Sequence, residues 1–378
     1  MTEQNTYQIA IVGGGLAGLS LAIQMADAGY SCVLFEKNKY PFHKVCGEYI
    51  SMESYDFIER LGLNLSEMNL PRINKLEVSS PKGKLLNHKL SLGGFGISRF
   101  LLDEKLAALA IEKGVTILEE CKVNNILFPD EQFIIETGKG NYTASVCVGA
   151  WGKRSNMDKK LDRDFIKNAS REKNYVGIKY HVKYNFPNDL IQLHNFKNGY
   201  CGISKVENDI CCLCYLTDAE NLKMHGGNIK KMETEILMQN PHLKKYFESA
   251  EFLFDEPATI SQIKIGKKSA VDQHILMLGD TAGFIAPLSG NGMSMALRGS
   301  YMIHFLLIHF FEKKISRNDL EKGYTTMWNR NFKNKVVFSK SLQKLLSNVS
   351  LTNFAISILS KLPFLMQQVV KRTHGKPF

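Results

Sequence analysis

The sequence contains no acidic residue after Glu321. The segment Lys322–Phe378 holds ten Lys or Arg, and since the 378-residue chain has a net charge of +11, the first 321 residues sum to only +1. No basic cluster lies on a recognisable helix-turn-helix, RRM or zinc-finger pattern, so we expect no nucleic-acid partner. The basic tail predicts either a solvated face of ordinary C-terminal helices or a peripheral contact with a membrane surface.

Long apolar segments are also missing. The longest apolar run, Tyr301–Phe311, has 11 residues and includes His304 and His309, whereas a bilayer-spanning helix needs about 20. The N-terminus has no signal-peptide pattern, so we expect a cytoplasmic protein with reduced thiols. The basic tail adds the inner face of the membrane as a second expected location.

Metal-ligand spacing is absent as well. Cys211, Cys212 and Cys214 lie in a strand-like segment, where adjacent side chains point to opposite faces. The sequence offers no second cysteine or histidine pair that would complete a tetrahedral zinc site. We therefore expect no bound metal.

The N-terminus does contain a βαβ pattern. An apolar strand over Gln8–Val12 is followed by a glycine turn, a helix over Leu16–Ala28 and a second apolar strand over Ser31–Phe35. Apolar residues make up 44% of the chain and charged residues 22%. These proportions and the length are typical of a globular protein of two or three domains.

The glycine turn has the GxGxxG spacing of a dinucleotide-binding loop. Gly13 permits the tight turn, Gly15 lets a pyrophosphate approach the backbone, and Gly18 lets the helix pack closely on the sheet. The N-terminus of the helix favours phosphate groups. Glu36, 18 residues beyond Gly18, lies where a carboxylate accepts a hydrogen bond from a ribose hydroxyl.

A second glycine-rich segment, Gly279–Met293, follows the apolar strand Ile275–Leu278 and opens an apolar helix. Asp280 at the strand end can accept from a sugar hydroxyl. Gly290 and Gly292 allow backbone N–H groups to approach a polar ring edge or a phosphate. By itself this segment is also compatible with a plain connection between strand and helix.

Through these two motifs, the chain from Gln8 to Phe311 resembles FAD-dependent oxidoreductases of the para-hydroxybenzoate hydroxylase and geranylgeranyl reductase type. The resemblance implies an α/β fold with a Rossmann-like FAD-binding domain of the glutathione-reductase type, an antiparallel β-sheet substrate domain and a helical C-terminus. It implies FAD as the cofactor. The implied contacts are Gly13, Gly15, Leu16, Ala17, Gly18, Glu36 and Lys37 for the ADP half, Arg99 for the pyrophosphate, Val123 for adenine, Asp280 for the ribityl-phosphate region, and Gly290, Asn291, Gly292 and Met293 for the isoalloxazine ring.

The resemblance also implies a domain division. We expect a discontinuous FAD-binding domain over residues 1–70, 97–157 and 262–325, and a substrate domain over residues 71–96 and 158–261. Basic helices fill residues 326–378, and we expect the polar end of the chain to be loose.

One motif departs from the family pattern. The usual Gly-Ala-Asp-Gly reads Gly149-Ala150-Trp151-Gly152 here, so that Trp151 replaces an acid associated with nucleotide handling. The chain also has a single GxGxxG, and no separate nicotinamide domain is visible. We therefore expect NADH or NADPH to bind transiently as the reductant, or electrons to come from elsewhere.

The segment from Lys44 to Glu48 resembles the reductase branch of the family, where a cysteine lies close to the flavin. Cys46 is the candidate catalytic residue, either as a proton donor or as a group that tunes the ring. The alternative is a small packed side chain. His181 and His194 either accept a phenolic proton or are structural.

Together these features predict an FAD-dependent oxidoreductase with a hydrophobic small-molecule substrate. The first hypothesis is a monooxygenase that hydroxylates an aromatic or phenolic, polyketide- or lipid-like substrate with NAD(P)H and O2. The second is a geranylgeranyl-reductase-like enzyme that reduces C=C bonds of an isoprenoid or lipid, which Cys46 and Trp151 favour. The third is a non-enzymatic flavin-binding protein that docks on membranes. No feature of the sequence specifies an oligomeric state.

Overall fold

Two large β-sheets and a set of helices form the chain, which the computed structural model describes over residues 5–167 and 173–378. The strands, in chain order, are β1 (Thr6–Val12), β2 (Cys32–Phe35), β3 (Tyr49–Ser51), β4 (Arg72–Ser79), β5 (Leu85–Gly96), β6 (Thr116–Leu118), β7 (Val123–Leu127), β8 (Phe133–Thr137), β9 (Gly140–Gly149), β10 (Tyr175–Lys183), β11 (Leu190–Phe196), β12 (Gly199–Lys205), β13 (Ile210–Asp218), β14 (Glu251–Phe252), β15 (Ala258–Ile263), β16 (Gly266–Lys267), β17 (Val271–Asp272), β18 (Ile275–Met277) and β19 (Gly283–Phe284). The helices are α1 (Leu16–Asp27), α2 (Tyr55–Leu61), α3 (Arg99–Glu112), α4 (Asn156–Lys160), α5 (Asp164–Lys167), α6 (Ala219–Met224), α7 (Ile229–Glu235), α8 (Pro241–Ser249), α9 (Gly292–Phe311), α10 (Arg317–Trp328), α11 (Asn334–Leu346), α12 (Val349–Leu359) and α13 (Pro363–Thr373).

The first sheet has a parallel, Rossmann-like core. Its strands lie in the order β17-β18-β9-β1-β2-β6, with β8 beside β9 and β7 beside β8. Strand β1 is parallel to both β2 and β9, and every residue from Ile9 to Val12 is buried. A continuous apolar run suits this strand because helices cover the faces of a parallel sheet.

Helix α1 joins β1 to β2 and is buried along most of its length. The residues from Leu16 to Met25 are all buried, since α1 packs against α3 and α9 as well as against the sheet. Ser20 Oγ lies 2.7 Å from Ser300 Oγ and links α1 to α9 in this interior. The predicted βαβ unit is confirmed, and its helix opens directly at the glycine turn.

The second sheet covers a different part of the chain. Its strands lie in the order β14-β10-β13-β12-β11-β4-β5-β3, and β15 also pairs with β10. All of these pairings are antiparallel except that between β11 and β4. The predicted antiparallel sheet is therefore a mixed sheet, because β4 and β5 join it from a distant segment. Strand β3 brings the loop that carries Cys46 against this sheet.

Helices α11, α12 and α13 lie over the second sheet. Ile356 of α12 and Met366 of α13 share a buried cluster with Leu76, Leu86 and Leu90 of β4 and β5. The α/β fold with a helical C-terminus is thus confirmed.

The end of the chain is docked, which contradicts the expectation of a loose polar tail. The Phe378 ring lies 5.2 Å from the Phe57 ring and 5.7 Å from the Tyr301 ring. The Phe378 backbone N–H donates to the Glu53 carbonyl at 3.3 Å. The docking depends on the apolar side chain of Phe378, whose ring packs between Phe57 of α2 and Tyr301 of α9.

In the described residues, no single helix combines the length and apolarity that a bilayer span needs. Val349–Leu359 and Phe364–Thr373 meet that test only as a pair, across a bend of 115°.

Candidate active site

The glycine turn after β1 is shaped by close contacts at two of its three motif positions. Gly13 has a φ of +115°, and a Cβ there would lie 2.4 Å from the Ala150 carbonyl oxygen. A Cβ at Gly18 would lie 2.1 Å from the Gly13 carbonyl oxygen. At Gly15, in contrast, the nearest atoms to a Cβ would be the Arg99 and Lys44 nitrogens, at 3.6 and 4.0 Å. Gly15 is therefore the position at which a ligand can reach the backbone.

Two cations and one buried acid face Gly15. Asp103 lies on α3 and accepts from Lys44 Nζ at 2.8 Å and from Arg99 Nη2 at 2.7 Å. Burial alone would raise the pKa of Asp103, but the charges of Arg99 and Lys44 outweigh it and lower that pKa. Arg99 keeps its positive charge beside the N-terminus of α1, whereas burial lowers the pKa of Lys44 despite the opposing charge of Asp103. A pyrophosphate suits this environment.

Glu36, directly after β2, is hydrogen-bonded to the backbone of the glycine turn. Its carboxylate accepts from the Gly14 N–H at 2.9 Å and from the Asn38 N–H at 3.0 Å. The Cys121 N–H donates to the Glu36 carbonyl at 2.9 Å. This bond holds the start of β7, which contains the buried Val123, beside Glu36. Of the other residues predicted for the ADP half, Leu16 and Ala17 are buried and Lys37 is exposed.

The second glycine motif meets the first one. Strand β18 lies beside β9, which lies beside β1, and a Cβ at Gly279 would lie 3.2 Å from Ala17 Cβ. Burial raises the pKa of Asp280 despite the nearby charges of Lys153, Lys268 and Arg99. The Asp280 carboxylate has no hydrogen-bond partner among the residues that the structure describes.

These features fit FAD. Gly15, Arg99 and Lys44 provide an open, cationic place for a pyrophosphate, and Asp280 provides a buried acceptor for a sugar-type hydroxyl. The two sets lie close enough for the Arg99 charge to affect Asp280. A single extended nucleotide can therefore contact both motifs.

The loop before α9 brings Met293 to Cys46. Met293 Sδ lies 3.6 Å from Cys46 Sγ. Gly290 has a φ of +63°, and a Cβ there would lie 3.4 Å from the Tyr49 ring. Asn291 is buried and donates from Nδ2 to the Thr373 carbonyl at 2.7 Å, so that α13 holds this loop, and Gly292 begins α9. The predicted flavin-ring residues and Cys46 thus share one region.

A buried ionic cluster beside this region was missed in the sequence. Glu48 has no exposed surface and accepts from Lys179 Nζ, from His181 Nε2 at 2.6 Å and from the Arg99 backbone N–H at 2.8 Å. Burial would raise the pKa of Glu48, but the hydrogen bond from His181 and the charge of Lys179 outweigh it and hold that pKa below its ordinary value of 4.5. The alternation of β10, which places Lys179 and His181 on one face, was the available signal.

Cys212 lies across from His181 on β13, and ligand atoms of Glu48, His181 and Cys212 lie within 4.8 Å of one another. This is the one group with metal-ligand spacing in the described part of the chain. Lys179 Nζ and His181 Nε2 already bond the two oxygens of the Glu48 carboxylate, so both oxygens have partners within the protein.

The two histidines considered as proton acceptors have different surroundings. His194 bonds Ser79 Oγ at 2.8 Å and stacks on His242, and burial lowers its pKa to about 3. It is structural. His181 belongs to the ionic cluster, and its ring lies 5.1 Å from the ring of His43. Burial lowers the pKa of His43 to about 4.

Trp151, which departs from the family pattern, has a packing role. Its Nε1–H donates to Asp158 Oδ1 at 2.9 Å, and its ring fills the space that a Cβ at Gly149 would occupy. Asp158 pairs with the buried Arg163 at 2.8 Å. Lys153 Nζ donates to the Val45 carbonyl at 3.0 Å.

An apolar cavity lies between the second sheet and the C-terminal helices. Its volume is about 100 Å³, and it reaches Leu288 and Ser289 in the loop before α9. Asn195 Oδ1, Ser289 Oγ and His374 Nε2 are buried in this lining without a hydrogen-bond partner in the described residues. The cavity thus combines apolar walls with a few unpaired polar atoms.

His374 was not singled out in the sequence, since it lies in the tail that we expected to be loose. Its Nδ1 lies 3.0 Å from Thr373 Oγ1 and 3.2 Å from the Val370 carbonyl oxygen, so Nδ1 has a partner in either tautomer. Burial lowers the pKa of His374, which favours the neutral ring.

Comparison with known proteins agrees with this geometry. Residues 11–45 match the family described as NAD(P)-binding Rossmann-like domain. The chain is 25% identical to conditioned medium factor receptor 1 of Dictyostelium discoideum, across 90% of this chain and 71% of that protein. It is 23% identical to digeranylgeranylglycerophospholipid reductase of Methanococcus vannielii, across 96% and 97%. It is 22% identical to kynurenine 3-monooxygenase of Flavobacterium psychrophilum, across 77% and 70%.

Solved structures share the fold over nearly the whole chain. A geranylgeranyl bacteriochlorophyll reductase-like protein of Thermoplasma acidophilum superposes with a TM-score of 0.78 at 15% identity, covering 97% of this chain and 96% of that one. Halogenase PltM, solved with phloroglucinol and FAD, superposes with a TM-score of 0.72 at 14% identity, covering 97% and 84%.

In sequence and in fold, the chain is similar to FAD-dependent oxidoreductases of the para-hydroxybenzoate hydroxylase and geranylgeranyl reductase superfamily. FAD is the cofactor of this superfamily. In this oxidoreductase the glycine turn, Arg99, Lys44 and Asp280 are the residues whose surroundings fit it.

Proposed function

We propose that this oxidoreductase is a monooxygenase that uses NADH or NADPH and O2 to hydroxylate a phenolic substrate with a long apolar part. The apolar cavity beside the loop before α9 carries this proposal, since its walls suit a lipid- or polyketide-like chain. The partial sequence likeness to kynurenine 3-monooxygenases supports the same reaction class.

The chain's own residues would bind and orient such a substrate. Leu76, Leu342 and Ile356 line the cavity and would hold the apolar part away from water. Ser289 Oγ and Asn195 Oδ1 offer unpaired polar atoms for a phenolic hydroxyl. FAD, when bound, supplies the redox chemistry with O2.

His374 is the candidate general base for the phenolic proton. His374 lines the cavity, and its Nε2 is buried without a hydrogen-bond partner in the described residues. A phenol that loses its proton to this nitrogen becomes a more electron-rich ring, which favours attack on an oxygen atom.

Reduction of a C=C bond in an isoprenoid is the second candidate. The 3.6 Å contact between Cys46 Sγ and Met293 Sδ supports it, since it holds a thiol at the loop predicted to border the flavin ring. Likeness to digeranylgeranylglycerophospholipid reductase over most of the chain supports it too.

The two reactions differ in what the product gains. We would supply the FAD-loaded protein with NADH or NADPH, isotopically labelled O2 and either pentadecylphenol or geranylgeraniol, and analyse the products by mass spectrometry. One labelled oxygen atom in the phenol product supports the monooxygenase. A prenyl product with two added hydrogens, formed equally well without O2, supports the reductase and overturns the first proposal.

Replacement of the base gives a sharper prediction. We expect His374→Gln to lower kcat on the phenol by roughly 10²- to 10⁴-fold with FAD content unchanged. Because the base acts in its neutral form, wild-type kcat/KM should fall as the pH drops below the lowered pKa of His374, and the variant should lack this limb. His304→Gln, which replaces a half-buried histidine of α9 outside the cavity, is the matched control. An unchanged pH profile in His374→Gln would exclude His374 as the base.

A further inference from the structure

Large apolar side chains are exposed on one part of the surface. Of the fourteen such side chains in the described residues, seven lie between Val337 and Phe364. We call these seven the C-terminal apolar face: Val337, Leu345, Leu351, Phe354, Ile358, Leu362 and Phe364. Phe354 and Phe364 are the most exposed, at 65% and 61%. Scattered exposed apolar residues are ordinary, but such a concentration marks an interaction surface.

Helix α12 has apolar residues instead of charged ones on its exposed side. It contains no charged residue, and its outward positions Leu351, Phe354 and Ile358 follow helical spacing. Its inward residues Thr352 and Ile356 are buried. The helix is therefore apolar on the face where a solvated helix carries charge.

The charged residues of the segment that carries the C-terminal apolar face have one sign. Lys344 and Lys361 are exposed next to it, and Lys84 Nζ donates to Ser357 Oγ of α12 at 3.1 Å. No acidic residue follows Glu321 in the chain. A second copy docked by the same face would bring these lysines together, whereas an anionic lipid surface complements them.

The same helices form the wall of the cavity from the inside. Leu342 and Leu346 of α11, Ile356 and Leu359 of α12, and Met366 of α13 line it. Leu345 belongs both to the C-terminal apolar face and to the lining of the cavity, so the two meet at α11.

We propose that the C-terminal apolar face docks on an anionic lipid bilayer, with α12 and the start of α13 lying in the headgroup region. Apolar side chains would enter the acyl boundary while the flanking lysines contact lipid phosphates. Docking itself needs no catalysis. We further propose that the cavity takes up its apolar substrate from this bilayer, a step that rests on the proposed function.

Vesicle flotation tests the docking. The FAD-loaded full chain is mixed with vesicles of phosphatidylcholine alone or of phosphatidylcholine with phosphatidylglycerol, and the floating fraction is measured. We expect binding to the anionic vesicles that weakens with added salt. The double variant Phe354→Ser/Phe364→Ser should bind roughly tenfold or more weakly, because it loses two apolar insertions.

The controls separate docking from misfolding. Ile111→Ser and Met224→Ser remove side chains of similar exposure, 57% and 59%, elsewhere on the surface, and should float as the wild type does. Thermal melting and flavin absorbance should be the same for all variants. A wild type that does not float, or a double serine variant that floats equally well, overturns the proposal. A dimer seen by light scattering that the double variant abolishes would assign the face to a second copy and overturn it as well. Flotation is measured without substrate, so its outcome does not depend on which reaction the protein catalyses.

Discussion

At the scale of single residues, Glu48 joins three separate parts of the site. It lies in left-handed backbone, with a φ of 55°, and has no exposed surface. Its carboxylate nevertheless stays ionised, because it holds the Arg99 N–H at the start of α3 and the side chains of Lys179 and His181 on β10. The loop with Cys46, the pyrophosphate region and the second sheet are thereby fixed to one another.

Removing this charge should destabilise the fold. We expect Glu48→Gln to lower the free energy of unfolding by about 3–5 kcal/mol, since it leaves the buried Lys179 ammonium unpaired. Urea unfolding at neutral pH measures this. The double variant Glu48→Gln/Lys179→Met should lose less than Glu48→Gln alone, and a loss under about 1 kcal/mol in the single variant would contradict the assignment.

The same variant has a pH signature. A carboxyl group whose folded pKa is depressed contributes stability that is present above its unfolded pKa and lost as the pH falls through its folded pKa. For Glu48 this loss begins near 4.5 and continues below it. Wild-type stability should therefore fall more steeply than that of Glu48→Gln below pH 4.5.

At the scale of elements, α1 depends on two glycines for different reasons. Gly18 lets α1 lie against the end of β1, because a Cβ there would lie 2.1 Å from a carbonyl oxygen. Gly15 has room for a Cβ, but that Cβ would project toward Arg99 and Lys44. Gly18 is therefore needed for packing, and Gly15 leaves room for a ligand.

Two alanine variants should separate these roles. Gly18→Ala should lower the melting temperature of the protein, since α1 must move off the sheet. Gly15→Ala should leave the melting temperature of the FAD-free protein unchanged and weaken FAD binding roughly tenfold or more, because it obstructs the phosphate. Thermal denaturation and quenching of flavin fluorescence measure the two effects. Equal behaviour of the two variants would be inconsistent with this division.

At the scale of the whole molecule, the C-terminal segment joins the two halves of the structure. Helices α12 and α13 cover the second sheet, Asn291 is held by the Thr373 carbonyl, and Phe378 docks beside Phe57. The tail thus connects the apolar cavity with the half of the structure that carries the two glycine motifs.

Phe378 should contribute measurably to stability. We expect Phe378→Ala to lower the free energy of unfolding by about 1–2 kcal/mol, because its ring contacts Phe57 and Tyr301 and covers Arg298. Lys376→Ala, an exposed side chain in the same tail, should change little. If chemical denaturation gives the same stability for both variants, the docked ring is not a stabilising contact.

Short-range patterns in the sequence predicted the local elements well. The buried runs of β1 and β2, the glycine turn and the helix that begins at Leu16 all appear in the structure where the sequence pattern places them. Hydrophobic period and turn chemistry act over a few residues, so they can be read directly from the chain. The mixed pairing of β4 with β11 could not be predicted, because it joins segments more than a hundred residues apart.

The sequence by itself determined that a dinucleotide turn with an acid partner opens the chain, since glycine spacing and backbone sterics are local properties. Only the tertiary structure decided which groups surround the reaction region. Glu48 meets Lys179 and His181 across 131 and 133 residues, and His374 reaches the cavity only because the tail docks. Burial and charge pairing arise from such long-range contacts, and they decide which side chains stay ionised and which keep an unpaired polar atom.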